Sequence, residues 1–197
     1  MKKTAARDDA LALFPSELGW MAVLGSGETV RRLVYGYSSP EAAVGALGLI
    51  DASALRVANW NPRLIARLQA YARQGNDDFR DVKLQVEPRT LFQRRVIAAC
   101  RRIPCGSTAT YAQLAAAAGS PGAARAVGTV MKTNPVSLII PCHRVLGAAG
   151  RIGGYSHPLG LDIKARLLAL EAAGKKRRSG GQKKSTRKPA KRVPAKR

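Results

Sequence analysis

The run at residues 134–145 reads Asn-Pro-Val-Ser-Leu-Ile-Ile-Pro-Cys-His-Arg-Val, and it governs how the rest of the chain is interpreted. Cys142 ends an apolar stretch that we predict to be strand-like, with Pro141 before it and His143 and Arg144 after it. The thiolate is the reactive form of cysteine, and neighbouring basic or cationic groups favour it. The run is therefore predicted to present one nucleophile.

Net charge points to the kind of partner. The 197 residues suffice for one domain or two small ones, and they hold 34 Lys and Arg against 12 Asp and Glu, a net charge of +22. Residues 174–197 carry 12 of these cations, no acid and few apolar side chains, so we predict a disordered basic tail there. Because the body is also basic, we interpret the tail as a nucleic-acid tether, with a solubilising tail as the alternative.

Cysteine usage and hydropathy indicate the compartment. The cysteines are odd in number, at Cys100, Cys105 and Cys142, and Asp8 and Asp9 interrupt the place where a secretory signal would need its apolar core. No apolar run reaches the length of a membrane span. We therefore expect a cytoplasmic protein with free thiols and no membrane contact.

The first 87 residues are predicted to form a small α/β domain. Two apolar runs, at 20–24 and 30–35, flank the turn cluster at 25–28 and predict a strand hairpin. Ser39-Pro40 and Asn61-Pro62 are helix-start signals. The further elements expected here are a short helix from residue 40, a helix over residues 62–74 and a strand over residues 82–86.

The following part, residues 88–173, is predicted to be mostly helical, which makes the whole chain α+β in class. After a linker at 87–89, Thr90 and Gln93 form a capping-box pattern that opens a helix to about residue 102. An alanine-rich helix over 110–118 and a second over 121–132 predict a helix-turn-helix. A last helix is expected over residues 162–171.

The second helix of that pair is lean in side chains. Small residues surround Arg125, the lone long cation of the segment: Gly122, Ala123, Ala124, Ala126 and Gly128. Such a helix can approach another surface closely with one cation projecting from it. Close packing within a small core, with Arg125 solvated, explains the pattern equally well.

Several chemistries are open to Cys142. His143 is adjacent and Glu171 lies downstream, so a relay of cysteine, histidine and carboxylate is one interpretation. A buried structural thiol is another. A zinc site from Cys100, Cys105, Cys142 and His143 fits poorly, since adjacent Cys and His seldom share one tetrahedral site. A cysteine protease is a further alternative, although no protease signature is present.

The residues also resemble a known family. PCHRV at 141–145, with NPV before it and GGYS after it, resembles the active-site signature of the O6-alkylguanine-DNA alkyltransferases, also called methylated-DNA–protein-cysteine methyltransferases. The resemblance covers about residues 90–174, including TYAQLAAAAGSPGAARAVGTVMKTNP and LLALEAAG, in the family's order. It implies a ribonuclease-H-like domain at 1–87 and an alkyltransferase DNA-binding domain at 88–173.

The resemblance implies irreversible transfer of an alkyl group from O6-alkylguanine in DNA to Cys142, once per molecule. His143 would act as the base through a water, oriented by Glu171, and Asn134 would support the turn that carries the nucleophile. The implied substrate and DNA contacts are Tyr111 on the nucleotide's 3′ phosphate and base, Arg125 as a finger replacing the flipped base, Met131 in the pocket, the carbonyls of Cys142 and Val145 on the guanine amino group, and Tyr155 and Ser156 as donors toward O6.

The implied partner is double-stranded DNA bound through its minor groove, with the damaged base flipped out. We expect a nucleoid-associated monomer without a cofactor or metal, because no Cys or His precedes Cys100 where some relatives hold zinc. His157-Pro158 departs from the family's usual loop. A non-catalytic sensor of alkylated DNA and a general DNA-binding or compacting protein are the alternative functions.

Overall fold

The computed structural model describes residues 9–48, 56–57, 60–86 and 90–182. Its first part is built on a five-stranded mixed sheet of order β4-β1-β2-β3-β5. The strands are β1 (Ala10–Phe14), β2 (Trp20–Ser26), β3 (Thr29–Tyr37), β4 (Arg56–Val57) and β5 (Lys83–Leu84).

The predicted hairpin is confirmed. β2 and β3 pair antiparallel, with Ser26 opposite Thr29 across a two-residue turn. β1, which was not predicted from the sequence, pairs antiparallel with β2, and its register sets Leu11 opposite Leu24. β4 runs parallel to β1, and β5 runs parallel to β3. β5 has two residues, so the strand predicted over 82–86 was too long.

Two helices accompany the sheet, and both begin where their caps predicted. α1 (Pro40–Ala46) is capped by the Ser39 hydroxyl, which accepts from the backbone N–H of Ala42. α2 (Pro62–Gln74) is capped by Asn61 and ends at Gly75 in the left-handed region. Side-chain acceptors at these ends satisfy backbone donors that the first helical turn leaves unpaired.

Four more helices follow within the described residues: α3 (Leu91–Arg101), α4 (Tyr111–Ala117), α5 (Ala124–Lys132) and α6 (Gly160–Gln182). The capping box predicted at Thr90 and Gln93 is present, and Thr110 with Gln113 forms a second one. α4 and α5 form the helix-turn-helix. The predicted linker at residues 87–89 lies outside the described residues.

The second helix of this pair begins later than predicted. α5 starts at Ala124, not at Pro121, and the N–H of Ala123 bonds the Ser120 carbonyl in a turn. Gly122 has a φ of +89°, which no α-helix accommodates. The prolyl residue therefore belongs to the turn, and the start at residue 121 was wrong.

The predicted disorder from residue 174 onward was also wrong for residues 174–182, because α6 continues through them. Cations of this extension bond backbone carbonyls: Arg177 bonds Gln74, Arg178 bonds Asn76, and Lys175 bonds Gly106. The amino-acid composition of residues 174–182 does not predict these bonds, because the accepting carbonyls lie far away in the sequence. The rest of the predicted tail, residues 183–197, lies outside the described residues.

The apolar run before Cys142 is a buried turn rather than a strand. Leu138 has a φ of +72°, and only isolated bridges occur, between Leu33 and Val136 and between Ser137 and Ile140. The run is apolar because it fills the core, which explains why its composition resembled that of a strand.

One continuous apolar core joins the sheet to the helices. It contains Met21, Leu33 and Tyr35 of the sheet together with Leu68, Val96, Leu114, Val130 and Leu167 of five helices. No helix in the described part of the chain is long and apolar enough to cross a membrane.

α2 and α6 approach closely at two glycines. A Cβ on Gly75, whose φ is +59°, would lie 2.6 Å from the Leu170 carbonyl, and one on Gly174 would lie within 2.5 Å of the Gly75 oxygen. Only glycine permits this contact between the two backbones. The approach brings Tyr71 of α2 to Glu171 of α6.

Candidate active site

Cys142 lies at the wall of a cavity of about 510 Å³. It opens a 3-10 turn, Cys142–Arg144, and is only 6% exposed. The cavity is lined by Tyr111, Gly128, Met131, Lys132, Cys142, Gly154, Tyr155 and Ser156. Four residues predicted from the resemblance to contact the substrate therefore surround the predicted nucleophile: Tyr111, Met131, Tyr155 and Ser156.

Asn134 fixes the turn that carries the thiol. Its Nδ2 donates to the Ile140 carbonyl at 2.8 Å and to Cys142 Sγ at 3.3 Å. Its Oδ1 accepts from the Val136 N–H at 3.0 Å. One side chain thus ties both ends of the buried turn together and contacts the sulfur directly.

His143, the residue after Cys142, forms a buried pair with Glu171. The imidazole Nε2 lies 2.9 Å from Glu171 Oε1, and the two side chains are 0% and 1% exposed. The carboxylate accepts a hydrogen from Nε2, which leaves Nδ1 as the basic nitrogen. Nδ1 is buried and has no hydrogen-bond partner among the described residues.

The charge states of this pair follow from its surroundings. Burial lowers the pKa of His143 below its ordinary value of 6.5, outweighing the nearby carboxylate. Burial alone would raise the pKa of Glu171, but His143 and Arg144 outweigh it and hold that pKa well below 4.5. The arrangement at neutral pH is a neutral imidazole beside an ionised carboxylate.

Glu171 is held by more donors than the sequence suggested. Arg144, fully buried, donates from Nη2 to Oε1 at 2.8 Å and from Nε to Oε2 at 3.0 Å. The Tyr71 hydroxyl donates to Oε1 at 2.6 Å, and the Gly106 N–H donates to Oε2 at 2.9 Å. A buried carboxylate needs such pairing, since an unpaired charge would be costly.

Tyr111 and Tyr155 are placed by backbone pairing and by loop contacts. β6 (Ala109–Thr110) pairs parallel with β7 (Val145–Leu146), which ties the start of α4 to the segment after Cys142. The Tyr155 hydroxyl lies 3.8 Å from Cys142 Sγ. Both phenols therefore face the space beside the sulfur.

Arg125 and Val145 lie outside the cavity lining. Arg125 is exposed on α5. Val145 is buried, and its carbonyl accepts from Lys164 Nζ at 2.7 Å.

The other two cysteines are poor nucleophiles. Burial raises the pKa of the Cys105 thiol to about 11 and also raises the pKa of Cys100. Both thiols are protonated at neutral pH, and Cys105 Sγ lies 3.0 Å from the Gly75 carbonyl. The described residues contain no group of three or more Cys, His, Asp or Glu that could hold a metal ion.

Comparison with known proteins gives this arrangement a family. The profile of the 6-O-methylguanine DNA methyltransferase DNA-binding domain matches residues 91–173. A methylated-DNA–protein-cysteine methyltransferase of Mycolicibacterium paratuberculosis is 45% identical over 56% of this chain and 67% of its own length. One of Methanosarcina acetivorans is 50% identical over 47% of this chain and 58% of its own length.

The three-dimensional likeness extends further. Mycobacterium tuberculosis O6-methylguanine methyltransferase superposes with a TM-score of 0.66 and 30% identity over 83% of this chain and 93% of that one. The chain belongs to the methylated-DNA–protein-cysteine methyltransferase family. Mycobacterium tuberculosis OGT in complex with DNA is also similar, with a TM-score of 0.61 and 31% identity over 84% of this chain and 94% of that one.

In this member of the methyltransferase family, sequence reasoning missed three buried polar side chains around the site, Tyr35, Tyr71 and Lys164, and named Arg144 only as a cation that follows Cys142. Lys164 had a usable signal, because it lies two helical turns before Glu171 on the face that also carries Leu167. The two tyrosines had none, since both lie in the N-terminal part and reach the site only through the fold.

Proposed function

We propose that Cys142 is the acceptor thiol of a direct-reversal DNA repair reaction. The chain, as a methylated-DNA–protein-cysteine methyltransferase, transfers an alkyl group from O6-alkylguanine in DNA to its own cysteine. The observation that carries this assignment is the Cys142 thiol at the cavity wall, with the next residue, His143, paired to the buried carboxylate of Glu171. Because the thioether is stable, each molecule acts once.

The proposed proton path begins at the sulfur. Nδ1 of His143 takes the thiol proton through one water molecule, while Glu171 keeps Nε2 protonated. Sulfur then bonds the alkyl carbon as the bond from that carbon to O6 breaks, and the electron pair stays on guanine. The proton passes back to the guanine, so that the products are an alkylated cysteine and an intact base.

The cavity walls, together with the Val145 carbonyl behind them, are proposed to supply the other roles. Tyr155 and Ser156 donate toward O6, where negative charge develops as the bond breaks. Met131 and Tyr111 enclose the base, and the carbonyls of Cys142 and Val145 accept from its amino group. Donors placed in a cavity that excludes water stabilise this charge more than water does.

We propose that α5 enters the minor groove of DNA. The exposed side of α5 carries mainly small side chains, and the minor groove is narrow, so it admits small side chains best. Arg125 is exposed on α5 and would fill the space that the flipped base leaves. Flipping costs a few kcal/mol, less for a damaged pair, which favours the lesion over intact guanine.

The basic tail is proposed to contact DNA phosphates. Residues 183–197 contain eight Lys and Arg and no acid. Cations of this density release counterions when they bind DNA, which gives affinity without sequence preference. We propose that one monomer binds each lesion and that the chain resides with the chromosomal DNA.

The proposal is tested by incubating the protein with duplex DNA that carries radiolabelled O6-methylguanine. We expect one label per molecule, located on Cys142 by peptide mass spectrometry. Cys142→Ala should take up no label, whereas the matched variant Cys105→Ala should be labelled like the wild type. Wild-type protein that binds the lesion and stays unlabelled would instead indicate a non-catalytic sensor.

A further inference from the structure

Tyr35, on β3 of the N-terminal sheet, reaches the active-site loop with its hydroxyl. The side chain is 0% exposed, and its oxygen lies 2.7 Å from the Tyr155 hydroxyl oxygen. The Tyr155 oxygen in turn lies 3.8 Å from Cys142 Sγ. Three polar atoms on three separate segments thus form a continuous chain that ends at the sulfur.

His157 fixes the same loop to the same strand. Its ring lies 4.7 Å from the Tyr35 ring, centroid to centroid, and its Nε2 lies 2.8 Å from the Tyr35 carbonyl oxygen. Nδ1 accepts from the Leu159 N–H at 3.1 Å, so the proton resides on Nε2 and is donated to that carbonyl. A Cβ on Gly36 would lie 3.0 Å from the imidazole of His157. The absence of a side chain at this position of β3 therefore lets the ring pack against the strand.

This docking matters because the loop has little structure of its own. Residues 151–159 contain no helix or strand, and both Tyr155 and Ser156 at the cavity lie within them. A mobile loop would lose side-chain and backbone entropy each time Tyr155 had to face the sulfur. Contacts with a buried sheet residue supply that order before the substrate binds.

We infer that Tyr35 is a positioning residue, which orients the Tyr155 hydroxyl toward Cys142 and polarises it while His157 clasps the loop to β3. Before the transfer, Tyr155 donates its one hydrogen to the Cys142 thiolate, and it turns that hydrogen to O6 as the sulfur is alkylated. Tyr35 then donates to the Tyr155 oxygen, and a donor at that oxygen strengthens the next hydrogen bond along the chain. The inference rests on the proposed role of Cys142 as the acceptor.

Other charged and titratable groups near Tyr155 are few in the described part of the chain. Lys164 Nζ lies 5.7 Å from the centre of the Tyr155 ring, and the His157 ring lies 6.1 Å from it. Neither contacts the phenolic oxygen, whereas the Tyr35 hydroxyl does. Burial raises the pKa of Tyr155, which keeps its proton available for donation.

The decisive variant is Tyr35→Phe, which keeps the ring in the core and removes only the hydroxyl. We expect the rate of alkyl transfer from free O6-benzylguanine to fall about tenfold, equivalent to about 1.4 kcal/mol, with DNA affinity unchanged. The matched control is Tyr37→Phe on the same strand, whose ring lies 6.1 Å from His157 and which should react like the wild type. A Tyr35→Phe protein that folds and reacts at the wild-type rate overturns the inference.

A readout without DNA or a guanine separates this inference from the proposed function. Modification of Cys142 by iodoacetamide, followed across pH, should require higher pH in Tyr35→Phe than in the wild type. The double variant with Tyr155→Phe should be no slower than Tyr155→Phe alone, since the effect passes through Tyr155. Additive losses would contradict this.

If Tyr35→Phe does not fold, His157→Ala is the second variant that tests the inference. It should fold, because His157 is only partly buried. His157→Ala should lower the rate of alkyl transfer severalfold, because it releases the loop of residues 151–159 from β3. A wild-type rate would show that His157 does not position this loop. If the wild type itself never alkylates Cys142, the proposed function fails, while the iodoacetamide profile still decides the role of Tyr35.

Discussion

The Tyr71 hydroxyl lies 2.6 Å from Oε1 of Glu171 and 3.3 Å from Nε2 of His143. Tyr71 belongs to α2 in the N-terminal part, whereas the pair that it contacts belongs to the C-terminal part. The N-terminal part is therefore joined to the candidate active site by a buried hydrogen bond. It contributes to the geometry of the site as well as to its support.

Removing that hydroxyl should be costly in spite of its small size. Tyr71→Phe takes one donor from a buried carboxylate, and hydrogen bonds to charged groups contribute about 1.5–3 kcal/mol. We expect a free energy of unfolding lower by about that amount and a slower alkyl transfer. Urea unfolding checks the first expectation, with Tyr37→Phe as the control. An unfolding curve unchanged in Tyr71→Phe would show that the bond contributes nothing.

Alkyl transfer should persist to lower pH than an ordinary histidine base would allow. Burial lowers the pKa of His143 below 6.5, and Glu171 stays ionised well below 4.5, so the neutral base survives mild acid. The acid limb of the rate, measured with O6-benzylguanine, should have its midpoint below pH 6.5. His157→Gln, which removes the other histidine, is the control, and its acid limb should have the same midpoint as that of the wild type. A midpoint above 6.5 contradicts the assignment of charges.

Stability should depend on pH through the same pair. The unfolded chain protonates His143 at higher pH than the folded chain does, and likewise Glu171. Because the unfolded state then binds more protons, the free energy of unfolding falls as pH drops below 6.5 and again below 4.5. Urea titrations at pH 7, 5.5 and 4 measure this. His143→Gln should abolish the first loss and reduce the second, because Arg144 alone then holds the pKa of Glu171 down.

The crossing of α2 and α6 should tolerate no side chain. Gly174→Ala places a methyl group against the backbone of Gln74 and Gly75, neither of which can rotate away. We expect a loss of at least about 1–3 kcal/mol in unfolding free energy, as for an overpacked core, and a slower reaction as Glu171 shifts. Gly45→Ala on α1, where a Cβ meets open space, should gain up to about 1 kcal/mol instead.

Arg125→Ala should separate base flipping from chemistry. The side chain is exposed on α5, so we expect unchanged stability and an unchanged rate with free O6-benzylguanine. Repair of the lesion in duplex DNA should fall at least tenfold. Arg73→Ala, exposed on α2, is the control and should repair duplex DNA normally. Equal loss on the free base would place Arg125 in the chemistry instead.

The basic tail is best tested by two truncations, because α6 continues to Gln182. Removal of residues 183–197 should weaken DNA binding and flatten its salt dependence, by about 0.9 in the log–log slope for each DNA phosphate that the tail neutralises. Reaction with O6-benzylguanine should stay the same. Removal of residues 175–197 should also lower stability, since it deletes the bonds of Arg177 and Arg178 to α2 and its following loop. An unchanged salt slope would refute the tether.

Some of the structure follows from local sequence. The caps at Ser39, Asn61 and Thr90 and the turn of the β2–β3 hairpin act through neighbours a few residues away, and these predictions were confirmed. Residues in the family's motif predict by resemblance that Cys142 is the reactive thiol, and this stays a prediction. The predicted strand before Cys142 was wrong, because a buried turn and a buried strand share the same apolar composition.

By itself the sequence determined the hairpin, the capped helices, the excess of positive charge and the motif around Cys142, since each depends on residues close together in the chain. Only the tertiary structure decided which donors surround Glu171, how far α6 extends and which side chains lie behind the sulfur. Tyr35 contacts Tyr155, which is 120 positions later in the sequence, and Tyr71 contacts Glu171, which is 100 positions later. Such contacts arise from packing of the whole core, and no local pattern encodes them.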